Sequence, residues 1–110
     1  MTQISEAEYE ARAVPELRAL VEAFDRLDLD GVEAELSNDI LTLDFGAGGR
    51  YVVNSHRAAR QIWMAAERHA WHFDWDPDQS AWIAYKTGDE LWTALARVVG
   101  DKLGKTLSLK

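Results

Sequence analysis

The stretch from Ser5 to Leu36, SEAEYEARAVPELRALVEAFDRLDLDGVEAEL, contains the change of hydrophobic period that decides the fold. Its first part is helical. Ser5 and Glu8 form a capping-box pattern, a hydroxyl followed three residues later by a carboxylate. Tyr9, Ala13, Leu17, Leu20, Val21, Phe24 and Leu27 then recur at three- and four-residue steps, as one face of an amphipathic helix must. Pro15 deletes a backbone donor. The apolar period passes through it without a phase break, so the spacing predicts one bent helix. Asp28 to Gly31 closes that helix and turns the chain. From Val32 the period falls to two. Val32, Ala34 and Leu36 alternate with Glu33 and Glu35, which reads as a half-buried strand.

Beyond this switch the chain keeps to short strands. Ser37-Asn38-Asp39 is a turn, and Ile40 to Phe45 is a second strand. Gly46 to Gly49 is a loop, and Arg50 to Asn54 is a third strand. A basic loop through Arg57 leads to a fourth strand, Gln61 to Ala65, with Ile62 and Met64 on one face and Trp63 on the other. Trp71, Phe73 and Trp75 alternate with His72, Asp74 and Asp76, which predicts a fifth strand with three aromatics on one side. Asp76-Pro77-Asp78 is a turn, and Ala81 to Tyr85 is a sixth strand. Thr87 to Glu90 reads as a second capping box. Leu91, Leu95, Val98 and Val99 then keep helical spacing with Trp92 flanking, and Gly100 and Gly104 end the helix. Leu107 and Leu109 are placed to dock the tail. Short turns between strands imply antiparallel neighbours. The expected fold is an α+β two-layer sandwich: helix, antiparallel sheet of five to six strands, helix. Both helices cover one face of the sheet and leave the other wet. At 110 residues the chain is expected to form one domain, residues 1–110.

Charge divides the chain in two. Residues 1–44 hold twelve acids and three arginines, and residues 45–110 hold seven acids and nine basic residues, for a net charge of −7. This lacks the basic footprint that a nucleic-acid binder needs. With no cysteine, disulfides, thiolate nucleophiles and cysteine-held metal sites are excluded within the chain. Met1 to Tyr9 is polar and acidic, unlike a signal or transit peptide, and no run is long and apolar enough to span a membrane. A soluble cytoplasmic protein is expected.

The acids crowd at the helix–strand switch: Glu22, Asp25, Asp28, Asp30, Glu33 and Glu35, interrupted only by Arg26. Such a run is either a solvated, aggregation-resistant surface or a landing place for cations and basic partners. Spread over a helix end and a strand, these carboxylates predict weak binding of several ions rather than a closed cage. Trp63 is placed on the open sheet face, with Asn54 and His72 in the same phase. An exposed tryptophan there is either a binding anchor or packing over its strand neighbours. His69 and His72 fall on opposite faces of a strand, which argues against a paired metal site. His56 and His72 are placed on the open face. No hydrolase, phosphate-loop or dinucleotide fingerprint occurs. Asp44, Asp74 and Asp76 have no evident reason for a raised pKa, so an enzyme is not expected.

The chain resembles the bacterial frataxins of the CyaY group over almost its whole length. Tyr9…Ala13…Leu17…Leu20…Glu22…Phe24-Asp25 is similar to the family's first helix, and Ile40-Leu-Thr-Leu43 to its second strand. Asn54, six residues, then Gln61-Ile-Trp63 resembles its central motif. Trp71-His-Phe-Asp74, Trp82-Ile83 and Thr87-Gly…Leu91-Trp92 continue the likeness. Ser55 and His56 stand where the family has a basic residue and glutamine, and Ala58 stands where proline is usual. The resemblance implies a role in iron–sulfur cluster assembly as an iron-binding regulator or iron donor. It implies weakly bound iron, Fe2+ or Fe3+, on a ridge of Glu22, Asp25, Asp28, Asp30, Glu33 and Glu35. It also implies docking on a cysteine desulfurase and its scaffold protein through Asn54, His56, Arg60, Trp63 and His72. A monomer with iron-driven oligomers is the implied state. The alternatives are an acidic protein-interaction module with incidental metal binding, and a ferroxidase.

Overall fold

Helix α1 runs without a break from Glu6 to Leu27 in the computed structural model, which describes residues 4–110. Met1 to Gln3, the start of the polar N-terminal stretch, lie outside the described residues. Ser5 caps α1, its hydroxyl accepting from the Glu8 amide at 3.1 Å. Pro15 sits inside the helix on its exposed side. There the carbonyl it leaves unpaired can turn to water. The buried stripe is Tyr9, Ala13, Leu17, Leu20, Ala23 and Phe24. It differs from the expected stripe at its end. Val21 is only half-buried and Leu27 is 40% exposed. Asp28 takes the left-handed conformation (φ 47°) as the C-cap, so the last turn ends the helix and Leu27 faces water.

Seven strands follow: β1 (Glu33–Ser37), β2 (Ile40–Asp44), β3 (Arg50–His56), β4 (Gln61–Ala66), β5 (His69–Asp76), β6 (Ala81–Ala84) and β7 (Asp89–Glu90). They lie side by side in chain order, every neighbouring pair antiparallel. Helix α2 (Leu91–Leu103) closes the chain. Val32 precedes β1 and packs partly buried against the core.

The seventh strand corrects the expected five to six. It lies where a second capping box was expected. Thr87 does not cap α2; its hydroxyl donates to the Asp89 carboxylate at 2.8 Å. Glu90 is the N-cap, in extended geometry, with its carboxylate accepting from the amides of Trp92 and Thr93. That extended backbone lets Asp89 and Glu90 pair with Ala84 and Ile83.

Both helices cover one sheet face. Their apolar stripes meet Leu41, Leu43, Val53, Ile62, Met64, Phe73 and Trp82, each at most 1% exposed. Trp75 lies on the same side, beneath the Arg12 guanidinium of α1.

Gly100 lies within α2 rather than at its end, and Gly104 (φ 72°) is the left-handed C-cap. A Cβ on Gly100 would stand 2.5 Å from the Lys105 carbonyl oxygen, where the tail folds back. The Lys105 amide also donates to the Gly100 carbonyl at 2.9 Å. Past this return, Leu109 is buried, 5% exposed, in the core. Gly100→Ala gains about 1 kcal/mol in helix propensity. It also pushes the tail away and loosens Leu109, whose burial contributes about 1.5–3 kcal/mol. Net destabilisation of about 1 kcal/mol is expected in urea unfolding. A more stable variant would show that the tail yields without cost.

Candidate functional site

Strand pairing arranges the face opposite the helices in rows. One row runs Ser37, Ile40, Asn54, Trp63, His72 across β1 to β5, each residue facing the next. The next runs Glu35, Thr42, Val52, Ala65, Ala70, and a third places Glu33 opposite Asp44 and Asp44 opposite Arg50. The open face is thus acidic at its β1–β2 edge and aromatic over β3 to β5.

The aromatic part is a stack of three rings. His56 lies on one side of Trp63, with centroids 3.7 Å apart and planes 14° apart. His72 lies on the other side, 4.2 Å and 13°. Both faces of the indole are covered, so a partner meets its edge. Asn54, Trp63 and His72 are brought together as their strand phase predicts, and His56 joins them. Arg60 does not. It adopts a left-handed backbone (φ 54°), and its guanidinium donates to the Ile4 carbonyl at 2.9 Å. It therefore ties the segment before α1 to the β3–β4 loop.

Two further side chains support the stack, and neither stood among the sequence candidates for the docking face. Trp63 Nε1 donates to Gln61 Oε1 at 2.8 Å, and Gln61 Nε2 donates to both carboxylate oxygens of Asp74 at 3.2 Å. Gln61 and Trp63 are two apart on β4, and His72 and Asp74 two apart on β5. That alternation is in the sequence, but the register joining the pairs is not.

The acidic ridge lies beside this face. All six of its carboxylate residues are exposed. Among the described residues none of the six takes part in an ion pair. Asp25, Asp28 and Glu33 line a groove of about 310 Å³ between the end of α1 and β1. Glu33 and Glu35, with Asp44, line a second depression of about 540 Å³ on the open face. Glu33 belongs to both. Glu22 lies one turn back on α1 and Asp30 in the turn before β1, and neither lines these grooves. Among the described residues no three His, Asp or Glu side chains converge on a common metal position. The ridge is a field of hard oxygen ligands open to water, suited to loosely held cations.

Asp44, Asp74 and Asp76 are each engaged by other groups, Asp74 by Gln61. Asp44 bonds the Gly46 amide at 2.8 Å. Asp76 is buried, 6% exposed, and accepts from the Tyr85 hydroxyl at 2.7 Å, the amides of Asp78 and Gln79, and the Gln79 side chain. The Tyr85 bond foremost holds its pKa below the ordinary value, against the effect of burial, which is the wrong direction for a general acid. Burial, with the Asp76 bond, pushes the Tyr85 hydroxyl up to about 12.

An unfolded aspartate titrates near 3.9. The contribution of Asp76 to stability is therefore complete above that value and disappears as pH falls through the lower folded value. Asp89, lowered first by Arg97, adds to the same window. Asp76→Asn is expected to lower stability at neutral pH and to flatten the loss of stability below about pH 4. Urea midpoints over a pH series check this; an unchanged slope would assign the acid sensitivity elsewhere.

A sequence model of the frataxin-like domain matches residues 2–105. The chain belongs to the frataxin-like family. An iron–sulfur cluster assembly protein CyaY of Thioalkalivibrio sulfidiphilus is 32% identical over 107 residues, covering 96% of this chain and all of that protein. A solved frataxin from Psychromonas ingrahamii superposes with a TM-score of 0.86 at 20% identity, over 97% of this chain and 99% of its own, which bears on the fold alone. A trimeric frataxin from Saccharomyces cerevisiae, solved in complex with ferrous iron, superposes with a TM-score of 0.73 at 25% identity, over 96% and 91% of the two chains. This frataxin-family chain therefore has the two-helix, one-sheet fold expected of it, with β7 as the added edge. Among the described residues no helix is long and apolar enough to cross a membrane.

Proposed function

We propose that this protein is a cytoplasmic iron-responsive factor in iron–sulfur cluster assembly. It takes up Fe(II) or Fe(III) weakly on Glu22, Asp25, Asp28, Asp30, Glu33 and Glu35. It docks on a cysteine desulfurase and its scaffold through Asn54, His56, Trp63 and His72, with Arg60 bracing the adjoining loop. One observation carries the reading: an acidic ridge, with no ion pair among the described residues, flanks the sheet face on which a tryptophan is already stacked. The unneutralised ridge suits a basic surface on the partner, and electrostatic attraction of this kind raises association rates. Iron on the ridge lowers that charge and so alters how the two proteins meet. The cluster assembly protein and the ferrous complex among its relatives support both halves.

The absence of a convergent ligand triad among the described residues favours several loosely bound ions over one ferroxidase centre. In this reading a monomer takes up iron, and iron can bring copies together by neutralising the ridge.

The test is sulfide production by a purified cysteine desulfurase with its scaffold, across an anaerobic Fe(II) titration, with and without this protein. An iron-dependent change in rate is expected. Trp63→Ala should weaken docking by about thirtyfold, as removal of a central aromatic anchor does. No change in rate at any iron level would refute the assembly role.

A further inference from the structure

Trp63 can act as a docking anchor only if its indole is held in one orientation, because its two faces are already occupied. His56 and His72 fix the plane of the ring. They leave open which edge points outward. That choice is made by the indole N–H, which donates to Gln61 Oε1 at 2.8 Å. The Gln61 amide has an acceptor end and a donor end, and its terminal torsion is soft and roughly two-fold. Turned over, it would set an NH2 group against the indole N–H. Asp74 prevents this. Its carboxylate accepts only, and both oxygens take Gln61 Nε2 at 3.2 Å. The donor end of the amide is thereby committed to Asp74 and the acceptor end to Trp63. Asp74 stands opposite Gln61 because Ile62 faces Phe73 in the β4–β5 ladder.

We propose that Asp74, acting through Gln61, is the positioning residue that fixes the outward edge of Trp63 for docking. This rests on the docking reading of Trp63 given above. Asp74 need not touch the partner; it orders the side chain that does.

The experiment records the indole N–H resonances of the full-length protein by proton–nitrogen NMR, with Trp63→Phe identifying the Trp63 signal. Asp74→Ala should shift that signal and speed its hydrogen exchange. It should also weaken docking on the desulfurase–scaffold complex by about tenfold, part of a full anchor loss. Asp74→Asn, whose amide oxygen can still accept from Gln61, should restore both. A purely structural role for Asp74 would alter urea stability and leave the indole signal in place. An unshifted Trp63 signal in Asp74→Ala overturns the proposal, and so does weakened docking without that shift, which would make Asp74 a direct contact. Wild-type docking by Trp63→Ala would refute the docking reading separately, while the NMR arm still reports whether Asp74 orients the ring.

Discussion

Reversing Glu22, Asp25 and Glu33 to lysine should slow association with the desulfurase–scaffold complex by at least about tenfold at low salt. It should also remove most of the salt dependence of that rate. Each substitution adds two charge units, so the three carry the chain from −7 to −1. They act on a flank where, among the described residues, no ion pair offsets the six acids. All three side chains are exposed, so the fold should tolerate the change. Exposed substitutions of this kind usually move stability by no more than about 0.5 kcal/mol. Here the relief of like-charge crowding acts in the favourable direction. Loss of binding can therefore be separated from loss of structure. The same variant should bind fewer Fe(II) ions, since Asp25 and Glu33 line the ridge groove. Stopped-flow association over a salt series is the measurement. An unchanged rate and slope would leave the acidic ridge as a solubility device.

The second large effect concerns stability. Trp82→Ala should cost about 3–5 kcal/mol, a large share of the about 5–15 kcal/mol that holds a domain folded. Trp82 is 1% exposed on β6. Its ring is met edge-on by Tyr9 of α1, with centroids 5.8 Å apart and planes at 88°, and by Trp75 of β5 at 5.7 Å and 66°. The alanine variant removes the side chain that joins helix to sheet at this end. Trp82→Phe should cost much less, about 1–2 kcal/mol. Among the described residues the buried indole N–H of Trp82 has no hydrogen-bond partner. Such a group costs about 1–3 kcal/mol when left unmade. Phenylalanine discards that penalty and keeps part of the packing. Urea unfolding followed by far-UV circular dichroism separates the two variants. Equal losses would show that phenylalanine recovers none of the packing at this position.

The sequence carries the layer order well because the period changes are abrupt. Leu17, Leu20 and Phe24 keep helical spacing, Glu33 to Leu36 alternate, and the structure follows both. Three features were hidden for physical reasons. Strand β7 is two residues long, too short to show a period, and exists because Glu90 caps α2 in an extended conformation. Leu27 fits the helical stripe but is the last residue of α1, next to the Asp28 cap, and faces water; spacing alone placed it inside. The support of Trp63 by Gln61 and Asp74 depends on β4–β5 register, which alternation within single strands does not specify. The phase of Trp63 and His72 was legible. Their stacking with His56 needs the three strands placed side by side.

The unbroken strand order has a consequence for how the two surfaces combine. β1 and β4 are three steps apart in the sheet, about 14 Å at the usual strand spacing. A partner footprint of about 800 Å² spans both without difficulty. Yet the carboxylates of β1 and the indole of β4 are separated by more than the screening length of about 8 Å at physiological ionic strength. Their energies should then add, with a double-mutant coupling below about 0.5 kcal/mol. The sheet in that case works as a ruler rather than a lever. A cation captured at the edge changes what approaches the protein and leaves the aromatic row geometrically undisturbed.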